Sequence, residues 1–254
     1  MRNATTRTRA GLLAPLAALA LAVVLGGGAL GAPADVAAAS AYRVNLARRN
    51  DFVPQSNFVQ CVGASVQMML NIIEPGVDRS SRTQRRLQDL ARAWSGPTPS
   101  GRTRQGASIR GWAAGLVVQR AGAYRVVGAE SLQEAMKIAA TAIREYRRPV
   151  GLLVWRGRHA WVMSGFEATG DPLFSKAYTV TKAYILDPLY PHGSGEWGAS
   201  PVPGRAIAVD TVGRQFVRRS SNRNSSWNSI PGSSRFSGKY VLLIPTGRVR
   251  PGIE

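Results

Sequence analysis

The chain has one cysteine, Cys61, and two histidines, His159 and His192. A thiol and an imidazole can attack an acyl carbon if a further group orients the ring and donors receive the oxyanion. After Cys61 the pattern is helical: Val62, Val66, Met69 and Ile73 make one apolar row, Ala64, Met68 and Ile72 a second. Gln67 and Asn71 leave only a thin polar stripe. The spacing predicts a mostly buried helix that Pro75-Gly76 ends, with Cys61 at or near its N-terminus. That position favours an anion, and the anion is the nucleophilic form of a thiol. The plain alternative for a lone cysteine is a small buried hydrophobe.

The other groups sit at element ends. Gln55 lies six residues before Cys61 in a loop, where its amide could join the Cys61 backbone N–H as an oxyanion donor. Gln60 is a competing amide. His159 opens a strand after the turn Arg156-Gly157-Arg158, whereas His192 lies in the loop Tyr190-Pro191-His192-Gly193, near Asp187. Strands near 159–166 and 179–186 are joined by one loop and should pair antiparallel. Pairing 166 with 180 puts 159 opposite 187, so Asp187 could hold a ring nitrogen of His159. Alone, Asp187-Pro188 also reads as an ordinary strand-end turn.

Gln-x5-Cys, followed by Ala64-Ser65 and a helix, resembles the papain-like cysteine peptidases. The likeness is greatest to the bacterial branch that includes the bacteriocin-processing peptidases of export transporters. It covers residues 54–73, 149–166 and 178–191; Val62 stands where members of that branch often have Gly or Trp. The resemblance implies an α+β, papain-like fold, with an N-terminal helical part and its nucleophile helix packed on a mostly antiparallel sheet. It implies Cys61 as nucleophile, His159 as acid and base because the family's histidine opens a core strand, and Gln55 as oxyanion donor. With His159 so placed, Asp187 becomes the orienter.

The expected function is a secreted cysteine hydrolase, first of all a peptidase, working through a thioester on a peptide or protein substrate. An amidase, deamidase or transpeptidase acting on cell-envelope material would share the nucleophilic step. A non-enzymatic protein binding an anionic envelope surface is the third reading. No H-E-x-x-H, no paired Cys/His spacing and no P-loop occurs, so no cofactor and no metal is implied.

The elements needed to position these groups are legible. Residues 41–53 read as an extended lead-in, and 79–94 as a helix with Leu87, Leu90, Ala91 and Trp94 on one face. A turn-rich break at 95–101 precedes a short helix within 107–119 and a strand at 124–127. Ser131-Leu132-Gln133-Glu134 is a capping box opening a helix that Pro149 stops. Strands follow at 150–155, 159–166, 178–186 and 240–244. The stretch 192–237 is Gly/Ser/Asn/Arg-rich and reads as loop-rich surface, although Trp197, Phe216, Trp227 and Phe236 suggest packing in places. Trp161 reads as core. Helices first and a mostly antiparallel sheet after them is an α+β order.

Arg2, Arg7 and Arg9 precede an apolar run from Gly11 to Leu25, and Ala37-Ala38-Ala39 offers a cleavage site. Residues 1–40 therefore read as a signal peptide, or as an uncleaved N-terminal anchor, ahead of one catalytic domain at 41–254. Either address puts that domain outside the cytoplasm, secreted or at the cell surface. There a single cysteine forms no internal disulfide and is left as a reactive thiol or an intermolecular bridge. An apolar content of 44% fits a folded domain. The formal charge is +19; removing 1–40 takes away three Arg and one Asp and leaves +17. Such a surface attracts anionic partners, but the arginine pairs are scattered and no nucleic-acid module accompanies them.

Overall fold

The computed structural model describes residues 41–74, 76, 78–96, 105–220 and 233–247. The expectations for residues 1–40, Pro75, residues 97–101 and Trp227 lie outside these. The described chain is α+β. It runs β1 (Tyr42–Asn45), α1 (Cys61–Ile73), α2 (Ser81–Ala93), α3 (Ile109–Val118), β2 (Tyr124–Ala129), α4 (Leu132–Tyr146), β3 (Val150–Val154) and β4 (His159–Ala168). Then come β5 (Val180–Leu186), β6 (Gly193–Ser194), β7 (Gly198–Ala199), β8 (Ala206–Ala208), α5 (Val209–Gly213) and β9 (Tyr240–Pro245). Among these residues no helix is long and apolar enough to cross a membrane.

Seven strands form one sheet in the order β2-β9-β3-β4-β5-β8, with β1 added beside β4. Every pairing is antiparallel. β4 is long enough to take β3 along its first half and β1 along its second. Side chains alternate across it, so both faces of the sheet are buried. Trp161 and Met163 enter a core shared with α4 and α5. Ala160 and Val162, with Leu186 of β5, enter a second core shared with α1, α2 and α3.

α1 is buried along almost its whole length, and Val66, Met68 and Met69 are sealed from water. Truncating Met69 to Ala would cost about 2–5 kcal/mol. The polar stripe is buried as well. Gln67 donates to the Asp78 and Ser80 carbonyls, and Asn71 holds both the carbonyl and the N–H of Asp78. These bonds fasten the chain that leads into α2. α4 begins as its capping box dictates, with the Glu134 N–H donating to Ser131 Oγ. In return the Glu134 carboxylate accepts the N–H of Glu130, one residue earlier than the motif requires.

Two expectations need correction. β4 continues two residues past Phe166, and its hairpin with β5 closes with Ala168 opposite Val180. The ladder therefore pairs Val162 with Leu186 and Met163 with Ile185, two residues away from the expected register. Tyr184 Oη and Lys182 Nζ both bond the Glu167 carboxylate, which extends the strand beyond its apolar part. At Val162 and Met163 a shift of two keeps the side chains on their expected faces, but an irregularity between Met163 and Gly165 leaves Gly165–Glu167 paired three residues off, and Phe166 turns into the core of Trp161 and Met163. The second correction concerns 192–237. Its described part is more structured than a surface loop: β8 joins the sheet, and Val209, Val212 and Phe216 enter the core with α4.

Candidate active site

Cys61 is the first residue of α1 and is half-buried. The helix has no side-chain cap and no acidic residue in its first turn. Its N-terminal dipole is thus left to act on the Cys61 sulfur. No hydrogen bond occupies the Cys61 backbone N–H among the described residues. That donor is available to an oxyanion.

His159 opens β4 and is buried. Its Nε2 lies 2.7 Å from Asp187 Oδ1, and the Cys61 side chain is near enough to act on the ring. With Nε2 turned to Asp187, Nδ1 is the nitrogen left for the sulfur. Asp187 is fully buried and does not sit directly across the ladder from His159. It follows Leu186, the partner of Val162, so the contact is a diagonal one between residues on a common face. Asp187 Oδ1 also accepts the Leu189 N–H at 2.8 Å, which fixes the carboxylate after the strand has ended.

Burial is the largest single influence on His159 and works against its charge. The hydrogen bonds to Asp187 and Cys61, with the charges of both, outweigh it and push the imidazole up to about 9. At neutral pH the ring is thus an imidazolium.

Gln55 is half-buried, and its backbone N–H donates to the Pro188 carbonyl at 2.7 Å. This bond ties the loop before Cys61 to the turn after Asp187. The side-chain Nε2 donates to the Asn57 carbonyl at 2.9 Å, which uses one of its two N–H groups. Gln60 is the N-cap residue of α1 and is buried, without a side-chain capping bond. His192 is exposed, and its side chain makes no hydrogen bond or ion pair among the described residues. Cys61, His159 and Asp187 are brought together, Gln55 is joined to them through Pro188, and His192 stands apart.

Sequence reasoning missed two sets of supporting residues. The first is Gln84 and Gln88 on α2, both buried. Gln84 accepts the Ser56 N–H at 2.7 Å and donates to the Pro54 carbonyl at 2.9 Å, gripping the backbone on either side of Gln55. Gln88 accepts the Gly63 N–H at 2.8 Å and donates to the Val59 carbonyl at 2.9 Å, on either side of Cys61. Gly63 permits this approach: a Cβ there would lie 2.7 Å from the Gln84 carbonyl oxygen. The signal was present, because 84, 87, 88 and 91 are one helical stripe and only its apolar members were read as a buried face.

The second is Trp155. Its ring stacks on His159 at 4.2 Å between centroids and 22° between planes. The backbone there has φ of 56°, uncommon for a bulky residue. Two bonds to Gln215 hold it: the Trp155 N–H to the Gln215 carbonyl at 3.0 Å, and the indole N–H to Gln215 Oε1 at 2.9 Å. Gln215 Nε2 in turn donates to the Ala199 carbonyl. The segment after β7 thus clamps an aromatic lid on the imidazolium, a placement that favours the charged ring.

Two results are expected of these groups. Gln84→Ala would strand the Ser56 N–H and the Pro54 carbonyl and loosen the Gln55 loop. It should cost roughly 1–3 kcal/mol of stability and lower kcat about 10- to 100-fold, as misplacement does. Denaturation and steady-state kinetics check it; a folded variant with normal kcat would free the loop from this clamp. Gln55→Ala should lower kcat about 10²-fold with little change in KM, since an oxyanion donor acts in the transition state. Gln60→Ala should do much less. If Gln60→Ala proved the crippled variant, the donor would be misassigned.

Among the described residues no group of three or more His, Cys, Asp or Glu side chains is placed to hold a metal ion. Compared with known proteins, the chain matches no family model and no curated protein.

Proposed function

We propose that the chain is a papain-like cysteine hydrolase that works outside the cytoplasm and cleaves peptide bonds. The observation that carries this reading is the buried His159 ring held by Asp187 at 2.7 Å, beside Cys61 at an uncapped helix N-terminus. A histidine buried for packing alone would have its charge suppressed; here its partners, Asp187 first among them, restore it.

The reaction follows from these positions. The Cys61 sulfur attacks the carbonyl carbon, and the carbonyl electrons move onto oxygen. The Cys61 N–H and the Gln55 amide receive that oxyanion. The carbon–nitrogen bond breaks as His159 gives its proton to the departing amine. Water then attacks the thioester carbon as His159 takes its proton, and the carbon–sulfur bond breaks, releasing the acid product and returning the sulfur as thiolate beside the protonated ring. Asp187 keeps one tautomer and one ring orientation throughout.

The surroundings suit a polypeptide. Phe58 is 86% exposed and Val59 adjoins it, three and two residues before Cys61. On the His159 side, Trp197 lies beneath the guanidinium groups of Arg156 and Arg158. An extended chain crossing between these walls would meet an apolar surface on one side and a cationic one on the other.

The reading is tested by digesting a mixed peptide library in heavy-oxygen water and analysing the products by mass. Hydrolysis leaves one heavy oxygen in each new carboxylate. Products joined to an added amine, without label, would make the enzyme an acyl transferase. No cleavage of peptides beside release of ammonia from amides would make it a deamidase.

A further inference from the structure

We propose that the end of the domain opposite Cys61 and His159 docks on an anionic lipid bilayer, with Leu173 and Phe174 entering the headgroup boundary. The surface is independent of the catalytic chemistry.

β4 runs from His159 to Ala168, which separates its two ends by about 30 Å. At the far end the β4–β5 loop is a built turn. The N–H groups of Phe174 and Ser175 donate to the Asp171 carbonyl, and the Leu173 N–H donates to Asp171 Oδ1. Arg144 of α4 grips the same carboxylate through Nε and Nη2 at 2.9–3.1 Å. This turn holds Phe174 at 85% exposure beside Leu173 at 43%. A single exposed apolar side chain needs no explanation, but a fixed, adjacent pair on a loop tip asks for an apolar neighbour.

Charge surrounds the tip. Between α4, this loop and the β2–β9 edge lies a groove of about 470 Å³, with Ile138 and Ile244 in its lining, and three cations, Arg125, Lys137 and Lys176, against one acid, Glu145, at its sides. None of these three cations is in an ion pair among the described residues. Two acids of this end, Asp171 and Glu167, are already paired with Arg144 and Lys182. An apolar tip among cations meets both requirements for stable interfacial binding: apolar insertion and attraction to anionic headgroups.

The entry of the chain points to the same side. β1 starts at Tyr42, opposite Ala168. The described residues therefore begin at the end that carries Phe174. A bilayer met through this end leaves Cys61 facing away from it, open to substrates in the surrounding medium.

The test uses the full chain in a Cys61→Ser background, with one environment-sensitive fluorophore on either Phe174→Cys or Phe58→Cys. Both positions are exposed and lie at opposite ends. With vesicles of phosphatidylcholine and phosphatidylglycerol, the label at 174 should shift to the blue and be quenched by a bilayer-embedded quencher. The label at 58 should remain in water, and neither should respond to pure phosphatidylcholine. Because the readout is local, binding by residues 1–40 alone cannot imitate it. Lys137→Glu with Lys176→Glu should weaken the response of the 174 label about tenfold or more. Equal insertion of both labels, insertion at 58 alone, or a 174 label that stays in water would overturn the proposal. So would binding to a soluble wall polyanion without any shift at 174.

Discussion

Cys61→Ser is expected to turn over substrate slower by a factor on the order of 10⁴–10⁶ while folding normally. The side chain is only half-buried and serves no packing need that a hydroxyl of similar size would fail. The loss is chemical. A serine hydroxyl is the weaker nucleophile and surrenders its proton to His159 far less readily than a thiol does. His159→Ala should lose activity on the same scale, because both the proton for the leaving amine and the base for water disappear. The two variants should differ in stability. Removing the imidazole leaves the fully buried Asp187 carboxylate without its cation, a defect worth about 3–5 kcal/mol. Normal melting of His159→Ala would mean that Asp187 is not charged in the folded protein.

The second large effect concerns Asp187 and is read against pH. His159 is raised from 6.5 to about 9 on folding, so the folded protein holds a proton that the unfolded chain releases. This contribution is fully present below pH 6.5 and is lost as pH rises through 9. At roughly 1.4 kcal/mol per unit it is about 3 kcal/mol. Asp187→Asn removes the charge while its amide oxygen can still accept from Nε2–H and from the Leu189 N–H, as Oδ1 does now. Because that oxygen can still hold the tautomer, partial activity should remain, above that of a variant with no acceptor there. The alkaline limb of the rate profile and the pH-dependent part of the stability should both move to lower pH, because burial then meets less opposition. Asp187→Ala should lose the partial activity too. Stability curves of wild type and Asp187→Asn that fall over the same pH range would remove Asp187 from the account.

Much of this was legible in the sequence because the strongest patterns were long. The apolar rows of α1, the capping box at Ser131 and the change of period after Pro149 each mark an element the structure contains. What escaped was short or depended on distant partners. β1 has four residues and α5 five, too few to show a period. The β4–β5 register was two to three residues off because the polar end of β4, held through Glu167, reads as loop. Trp155 reads as the end of a strand. Its positive φ and its place over His159 depend on Gln215, sixty positions later and in no pattern with it. Gln84 and Gln88 were polar residues on an arginine-rich helix, and only the tertiary fold reveals that their partners are the backbone around Gln55 and Cys61.

The most direct test of the thioester account is to trap the intermediate. The wild type is mixed with a cleavable peptide, quenched in acid during turnover, digested and analysed by mass. The account predicts that the acyl portion of the substrate is found on the fragment containing Cys61, that hydroxylamine removes it, and that Cys61→Ser shows none. An acyl group on another residue, or undiminished cleavage by Cys61→Ser with no adduct at all, would contradict it.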